Sequence, residues 1–255
     1  MSEPRGTVRV VTYNVHKCQG LDRRVRPARI ASVLRETGAD VIALQEVVSV
    51  EDDARREMHQ ARFIAEELGY EYRVGENRKH QGGSYGNVVL TRMPVERCCN
   101  FDITWRWREP RGCLRVDVRL GDGGAAPVLH VFNVHLGTAY MERRNQGRRL
   151  VSEQILRDGR LAGPRVVLGD FNEWTHGLAS RLLGEELRSA DVRQHLRTRR
   201  TYPGPLPLFH LDHVYYDPSL ELERLSLHRS RTALVASDHL PLVADFRLVS
   251  RNGAD

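Results

Sequence analysis

Carboxylates, amides and imidazoles recur in this sequence beside short apolar runs, and their types suit one chemistry. Asn14 follows the run 7–13, and Glu46 follows 41–44 in Leu44-Gln45-Glu46-Val47. Asn133 and His135 stand at the end of 128–134, and Asp170 and Asn172 just beyond 165–168. Asp212 precedes 213–216, and Asp238-His239 precedes 240–248. Oxygen donors of this kind suit a hard cation such as Mg²⁺, which keeps positions open for water and phosphate. Histidines with near-neutral pKa supply proton traffic or a phosphate contact. Together they fit in-line attack on phosphorus, which needs an activated water, neutralised charge and help for the leaving oxygen. Arg111 or Arg115 could add a bidentate phosphate contact. Each cluster alone is a weak signal: Asp-x-Asn is often a turn, and Asp-His after Ser237 could cap a helix.

These residues need a scaffold, and the hydrophobic pattern supplies one. The valine-rich alternation of 7–13 reads as a strand. The spacing over 27–37 predicts a helix stopped by Gly38, and 52–68 predicts another stopped by Gly69. Strands are expected at 41–44, 88–90, 114–120, 128–134, 165–168, 213–216 and 240–248, and helices at 141–157 and 178–187. The chemistry-bearing residues therefore lie at strand ends, where loops carry function on a rigid sheet. In extended backbone, residues i and i+2 point the same way. Asn133 with His135, and Asp170 with Asn172, are thus expected to face one site. The mixed order of strands and helices suggests one α/β or α+β domain over 1–255.

Taken in order, Thr12-Tyr13-Asn14, Leu44-Gln45-Glu46-Val47, Gly86-Asn87, Asn133-Val134-His135-Leu136, Gly169-Asp170-Phe171-Asn172, Leu211-Asp212 and Ser237-Asp238-His239 resemble the endonuclease/exonuclease/phosphatase superfamily. The resemblance runs from about Val8 to Leu248. It implies a deoxyribonuclease I-like α/β fold: a four-layer sandwich of two mixed β-sheets flanked by helices. It also implies a Mg²⁺- or Mn²⁺-dependent phosphoester hydrolase, with DNA, phospholipid or a small phosphoester as substrate. By motif, Glu46 corresponds to the principal metal-binding glutamate, Asn14 to its neighbour, and Asp238 to a further metal-shell aspartate. Asp170 and Asn172 correspond to the pair that orients the attacking water, and His239 to the catalytic histidine paired with Asp212. His135 corresponds to a phosphate-contacting position. Some branches carry an aspartate where this chain has His16, which argues against a second metal there. His210 and His213 flank Asp212 and could suggest a zinc site, but the resemblance favours magnesium.

Composition narrows the classes. With 40% apolar and 28% charged residues, the 255-residue chain is expected to be globular rather than disordered or fibrous. It has no apolar run long enough to span a membrane and no recognisable secretory signal. Four cysteines without a C-x-x-C pair point to free thiols in a reducing compartment, hence a cytoplasmic location. The net charge is +6, and of the 39 basic residues only Lys17 and Lys79 are lysines. Such charge fits a nucleic acid, an anionic lipid or a phosphoester. Trp105 and Trp107 are expected to alternate on one face of a strand, and Arg143, Arg144, Arg148 and Arg149 to form a solvated helix face. A non-catalytic binding module of the same fold is the rival class, and a competent residue at every motif position argues against it.

Overall fold

The computed structural model describes residues 6–50, 56–80, 82–121, 126–174, 177–190, 201–202 and 210–249. Along the chain run β1 (Thr7–Asn14), α1 (Pro27–Thr37), β2 (Val41–Ser49), α2 (Gln60–Leu68), β3 (Glu71–His80), β4 (Gly83–Thr91), β5 (Val95–Asp102) and β6 (Gly112–Arg119). Then come β7 (Val128–His135), α3 (Tyr140–Leu150), β8 (Arg165–Asp170), α4 (Leu178–Glu186), β9 (Arg188–Ser189), β10 (Asp212–Tyr216), β11 (Leu220–Leu227), α5 (Ala233–Ala236) and β12 (Leu242–Leu248).

The strands form two mixed six-stranded sheets. Sheet one has the order β11-β12-β1-β2-β4-β3, and sheet two β5-β6-β7-β8-β10-β9. At the centre of each, two strands run parallel, β1 with β2 and β7 with β8. Their C-terminal ends therefore open at the same end of their sheet. β12 and β10 run antiparallel to β1 and β8, so their N-termini reach that end as well.

Alternation within the strands separates the layers. On β7, Phe132 and Val134 join Leu150, Ala179 and Leu183 in an apolar cluster under α3 and α4. Leu129 and Val131, on the other face of β7, belong to the main core, which also takes in Ile30 and Leu34 of α1, Ile64 of α2 and Val10 of β1. This is the period-2 pattern of a strand buried on both faces. The result is helix, sheet, sheet, helix, as expected. The Asn133 amide ties the sheets together. It donates to the carbonyls of Leu44 (2.8 Å) and Val88 (2.9 Å), and its oxygen accepts from Gln45 Nε2 (2.8 Å).

α1 begins with Pro27 in its first turn and ends at Gly38, whose φ of +59° suits a left-handed cap. α2 is shorter than its periodicity suggests. His59 caps it, accepting from the Arg62 N–H, and a separate 3-10 turn precedes it at Arg56–Met58, while 51–55 lie outside the described residues. α3 stops at Leu150 rather than 157. Beyond it the backbone closes tight turns through Ser152 N–H to Arg149 O and Leu156 N–H to Leu150 O. Trp105 and Trp107 stand in the loop between β5 and β6 rather than on a strand. The Arg106 guanidinium lies 5.0 and 5.6 Å from their ring centres, and Trp107 is 84% exposed.

Candidate active site

β1, β2, β7, β8 and β10 deliver their ends to one place between the sheets. Glu46 reaches it through a local break in the ladder. The pairing of β2 with β4 shifts between Leu44 and Val47, and Glu46 takes a φ of +59°. A non-glycine residue in the left-handed region costs about 1–2 kcal/mol, and bulges of this kind re-aim a side chain at a site. The Tyr85 hydroxyl and the Asn14 Nδ2 (3.1 Å) donate to the Glu46 carboxylate, and Lys17 Nζ lies 3.8 Å away. Burial works against its charge, but the Asn14 amide, His16 and Lys17 favour it and lower its pKa. Glu46 is therefore ionised at any working pH.

Asn14 does not present its oxygen to Glu46. Its Nδ2 bridges Glu46 and Asp170 (3.0 Å), while its Oδ1 accepts from the His16 N–H (3.0 Å). In this arrangement it brackets the two carboxylates. Ser237 Oγ fixes the strand beneath it by donating to Asn14 O (2.8 Å).

Asp170 is the hub. Its Oδ1 accepts from the Asn172 N–H (2.9 Å). Its Oδ2 faces two imidazoles, His135 Nε2 and His239 Nε2, each at 3.6 Å. Burial and the charge of Asp212 raise Asp170 to about 6, against the pull of His239, the Asn14 amide and the Asn172 N–H. Asn172 has a φ of +51° and donates from its side chain to Leu136 O (2.9 Å). The pair thus shares one site, as expected, but through a left-handed turn and not through extended backbone.

The two imidazoles are in different states. Arg111 Nη1 lies 2.9 Å from His135 Nδ1. A guanidinium can only donate, so that nitrogen accepts and His135 is neutral, with any proton on Nε2. Burial and then the Arg111 charge push His135 well below its ordinary value. His239 Nδ1 instead donates to Asp212 Oδ2 (2.9 Å). Burial opposes its charge, but Asp212 and Asp170 raise it to about 10. A cationic and a neutral imidazole thus flank one carboxylate, the kind of divergence that assigns acid and base roles. The Tyr202 ring packs 4.8 Å from His239.

Sequence reasoning and structure part at two further residues. Arg115 is not at the site. It is buried on sheet two in an ion-pair cluster with Asp117 (2.7 Å) and Asp158 (3.5 Å). Asn133 shares a strand face with His135 but lies deeper, as the strut between sheets. Lys17, Tyr85 and Ser237 were not expected at the site. Lys17 carried a signal, being one of two lysines beside an assigned motif, whereas Tyr85 and Ser237 had none beyond proximity to Gly86-Asn87 and Asp238.

The donor set fits a magnesium-like ion. Among the described residues no three His, Cys, Asp or Glu side chains converge as a metal cluster. Mg²⁺ is commonly held by one or two carboxylates, with water and substrate oxygens completing its shell. Glu46 is such a carboxylate, ionised and unsaturated by any arginine. Asp238 follows Ser237 on the same rim, with its Oδ1 3.2 Å from Ser237 Oγ and its Oδ2 3.5 Å from His16 Nδ1.

Comparison with known proteins bears on the fold and the family. Residues 11–239 match the model of the Endonuclease/Exonuclease/phosphatase family. The Escherichia coli protein YbhP is 30% identical over 250 residues, covering 94% of this chain and 96% of its own. A Bacteroides vulgatus endonuclease/exonuclease/phosphatase structure superposes with a TM-score of 0.76 at 18% identity, over 95% of this chain and 99% of that one. A mannosyl-6-phosphatase from Bacteroides thetaiotaomicron does so with 0.73 at 19% identity, over 94% and 99%. With the family model spanning β1 to His239 and the fold shared across these structures, the chain belongs to the endonuclease/exonuclease/phosphatase family.

Proposed function

We propose that the protein is a Mg²⁺- or Mn²⁺-dependent phosphoester hydrolase acting on phosphodiesters. The observation that carries this reading is Asp170 held between a neutral His135 and a cationic His239. A carboxylate at about 6 is matched to accepting a proton near neutral pH. Asp170 takes a proton from water as the water oxygen bonds to phosphorus and the opposite P–O bond breaks, the leaving oxygen taking its proton from solvent. Asn172 donates its N–H to Asp170 Oδ1 and so fixes the carboxylate plane. His239, anchored by Asp212, turns its Nε2–H toward charge developing on a phosphoryl oxygen. Arg111 and His135 hold the phosphate from the sheet-two side. Arg111 Nε has no hydrogen-bond partner among the described residues, although it is buried, as suits a group that pairs with substrate. A divalent cation at Glu46, with Asp238 nearby, would supply charge neutralisation and polarise a phosphoryl oxygen.

All four cysteines are free thiols, which supports a cytoplasmic, reducing setting. No helix among the described residues is long and apolar enough to cross a membrane. The experiment is a panel of duplex DNA, single-stranded DNA, phospholipid, a soluble phosphodiester and a phosphomonoester, each with Mg²⁺, Mn²⁺ or EDTA. Turnover that needs the metal and prefers a diester bears the proposal out. Absence of turnover throughout, or equal turnover in EDTA, rejects it.

A further inference from the structure

The large apolar side chains left exposed among the described residues gather around the site. On the sheet-one side Leu21 and Val25 lie in the loop after β1, and Val235 lies on α5 just before Asp238. These two segments touch, since the Leu21 N–H donates to Val235 O (3.1 Å). On the sheet-two side Trp107 lies in the loop before β6, Tyr140 and Met141 open α3 after β7, and Trp174 follows β8. Each of these side chains is at least 43% exposed. β6 runs antiparallel to β7, so with the strand directions given above all of these loops leave the sheets at the catalytic end. Among the described residues only Val249, beyond β12, is of this kind at the other end.

Two of these loops are basic. The segment 15–26 carries Lys17, Arg23, Arg24 and Arg26 against one acid, Asp22, which Arg29 already holds at 2.9 Å. The loop before β6 carries Arg106, Arg108 and Arg111 against Glu109. Glu142, the acid beside Tyr140 and Met141, is buried and paired with Arg108 at 3.4 Å. A cavity of about 290 Å³ beneath Trp107 is walled by Arg108, Glu109, Arg111, Thr138 and Glu142. Arg111 joins that cavity to His135.

Resting on the reading of the site as a phosphoester hydrolase, we infer that this rim seats the protein on an anionic phospholipid bilayer and presents a headgroup phosphoester to the site. Tryptophan and tyrosine prefer the headgroup level, where an apolar ring and a polar tip are both satisfied. Arginines beside them gain from the negative surface potential of such a leaflet. A single-stranded nucleic acid would also use aromatic rings and arginines. It has no use for exposed aliphatic side chains, however, which cannot stack on bases. Leu21, Val25, Val235 and Met141 therefore favour a lipid surface. Their place on both sides of the cleft makes a ring around its mouth rather than a groove that tracks a strand.

The test is flotation with vesicles of phosphatidylglycerol and phosphatidylcholine, against phosphatidylcholine alone, in EDTA so that no turnover intervenes. The protein is expected to float with the anionic vesicles. Trp107→Ser combined with Val235→Ser should weaken that partition by about tenfold or more, each substitution removing an apolar anchor. Hydrolysis of a soluble phosphodiester with Mn²⁺ should be unchanged in the variant, which shows that it folds, while hydrolysis of vesicle phospholipid falls. Equal flotation with both vesicle types, or a variant that binds as tightly as its parent, overturns the inference. So does binding of a single-stranded oligonucleotide that needs Trp107 when vesicles are not bound. Vesicle binding without hydrolysis of any phosphoester would keep the docking surface and reject the catalytic reading instead.

Discussion

At the residue scale the site is a set of groups whose charge states are fixed by their neighbours. Glu46 is ionised, half-buried and aimed by a bulge, so Glu46→Gln should keep the shape and lose the charge. Metal-dependent turnover is expected to fall by about a hundredfold or more, with an unchanged unfolding midpoint. Calorimetric titration with Mg²⁺ or Mn²⁺ checks it, and unchanged affinity and turnover would remove Glu46 from the role. His239 offers a second case. Its pKa is raised to about 10, so its pairing with Asp212 adds stability in full below about 6.5, the ordinary histidine value. That stability fades as pH rises through about 10. Asp212→Asn removes the leading support for the charge and should bring the His239 pKa down, with Asp170 still opposing the fall. An NMR titration of the imidazole reads this directly, and a pKa that stays put would break the pairing. The same substitution should destabilise the protein most at neutral and lower pH and least near pH 10.

At the element scale, legibility followed position in the sheet. Every interior strand, β1, β2, β4, β6, β7, β8, β10 and β12, could be read from its apolar run. The four strands not anticipated, β3, β5, β9 and β11, are the four sheet edges. An edge strand can carry charges that discourage further pairing. On β3 the charged stretch Glu76, Arg78 and Lys79 cuts short the alternation begun by Tyr72 and Val74, and on β11 a register shift between Leu222 and Arg224 breaks the alternation of leucines with Glu221 and Glu223. Site residues were legible for the complementary reason, since they stand where interior strands end. Arg115 was misplaced because strand position alone does not say which way a long side chain runs. It sits in mid-strand, paired with Phe132 of β7, and is spent on Asp117 and Asp158. Burial disfavours charge on Asp117, but hydrogen bonds from Arg115 and His130 hold its pKa at about 2. Its contribution is therefore present above about pH 4, its ordinary range, and lost as pH falls through about 2. Arg115→Met would take the bidentate guanidinium from buried Asp117 and leave it His130, while Asp158 keeps Arg160, and should cost about 3 kcal/mol, seen as a lower urea midpoint. KM for a phosphodiester should not change. A raised KM with intact stability would return Arg115 to the substrate.

At the scale of the whole molecule the site exists only while the two sheets keep their spacing. Asn14, Glu46, Asp238 and His239 come from sheet one and its loops, and His135, Asp170, Asn172 and Asp212 from sheet two. Contacts across that divide set the 3.6 Å approach of His239 to Asp170 and the 3.0 Å bond from Asn14. Asn133 is placed to hold the spacing, being wholly buried and bonded from β7 to Leu44 and Gln45 of β2 and to Val88 of β4. Asn87 of β4 adds the reverse tie, donating to Gly112 O (3.0 Å) and Asn133 O (3.2 Å) on sheet two. Asn133→Ala would leave two backbone carbonyls unpaired between the sheets, at about 1–3 kcal/mol for each buried group. The sheets should then shift slightly, and misplacement of even 1 Å can cost about a hundredfold in rate. The expected result is a fall in kcat with little change in KM, together with a lower melting temperature. At a temperature where the variant is still folded by circular dichroism, a normal kcat would show that the spacing is held elsewhere.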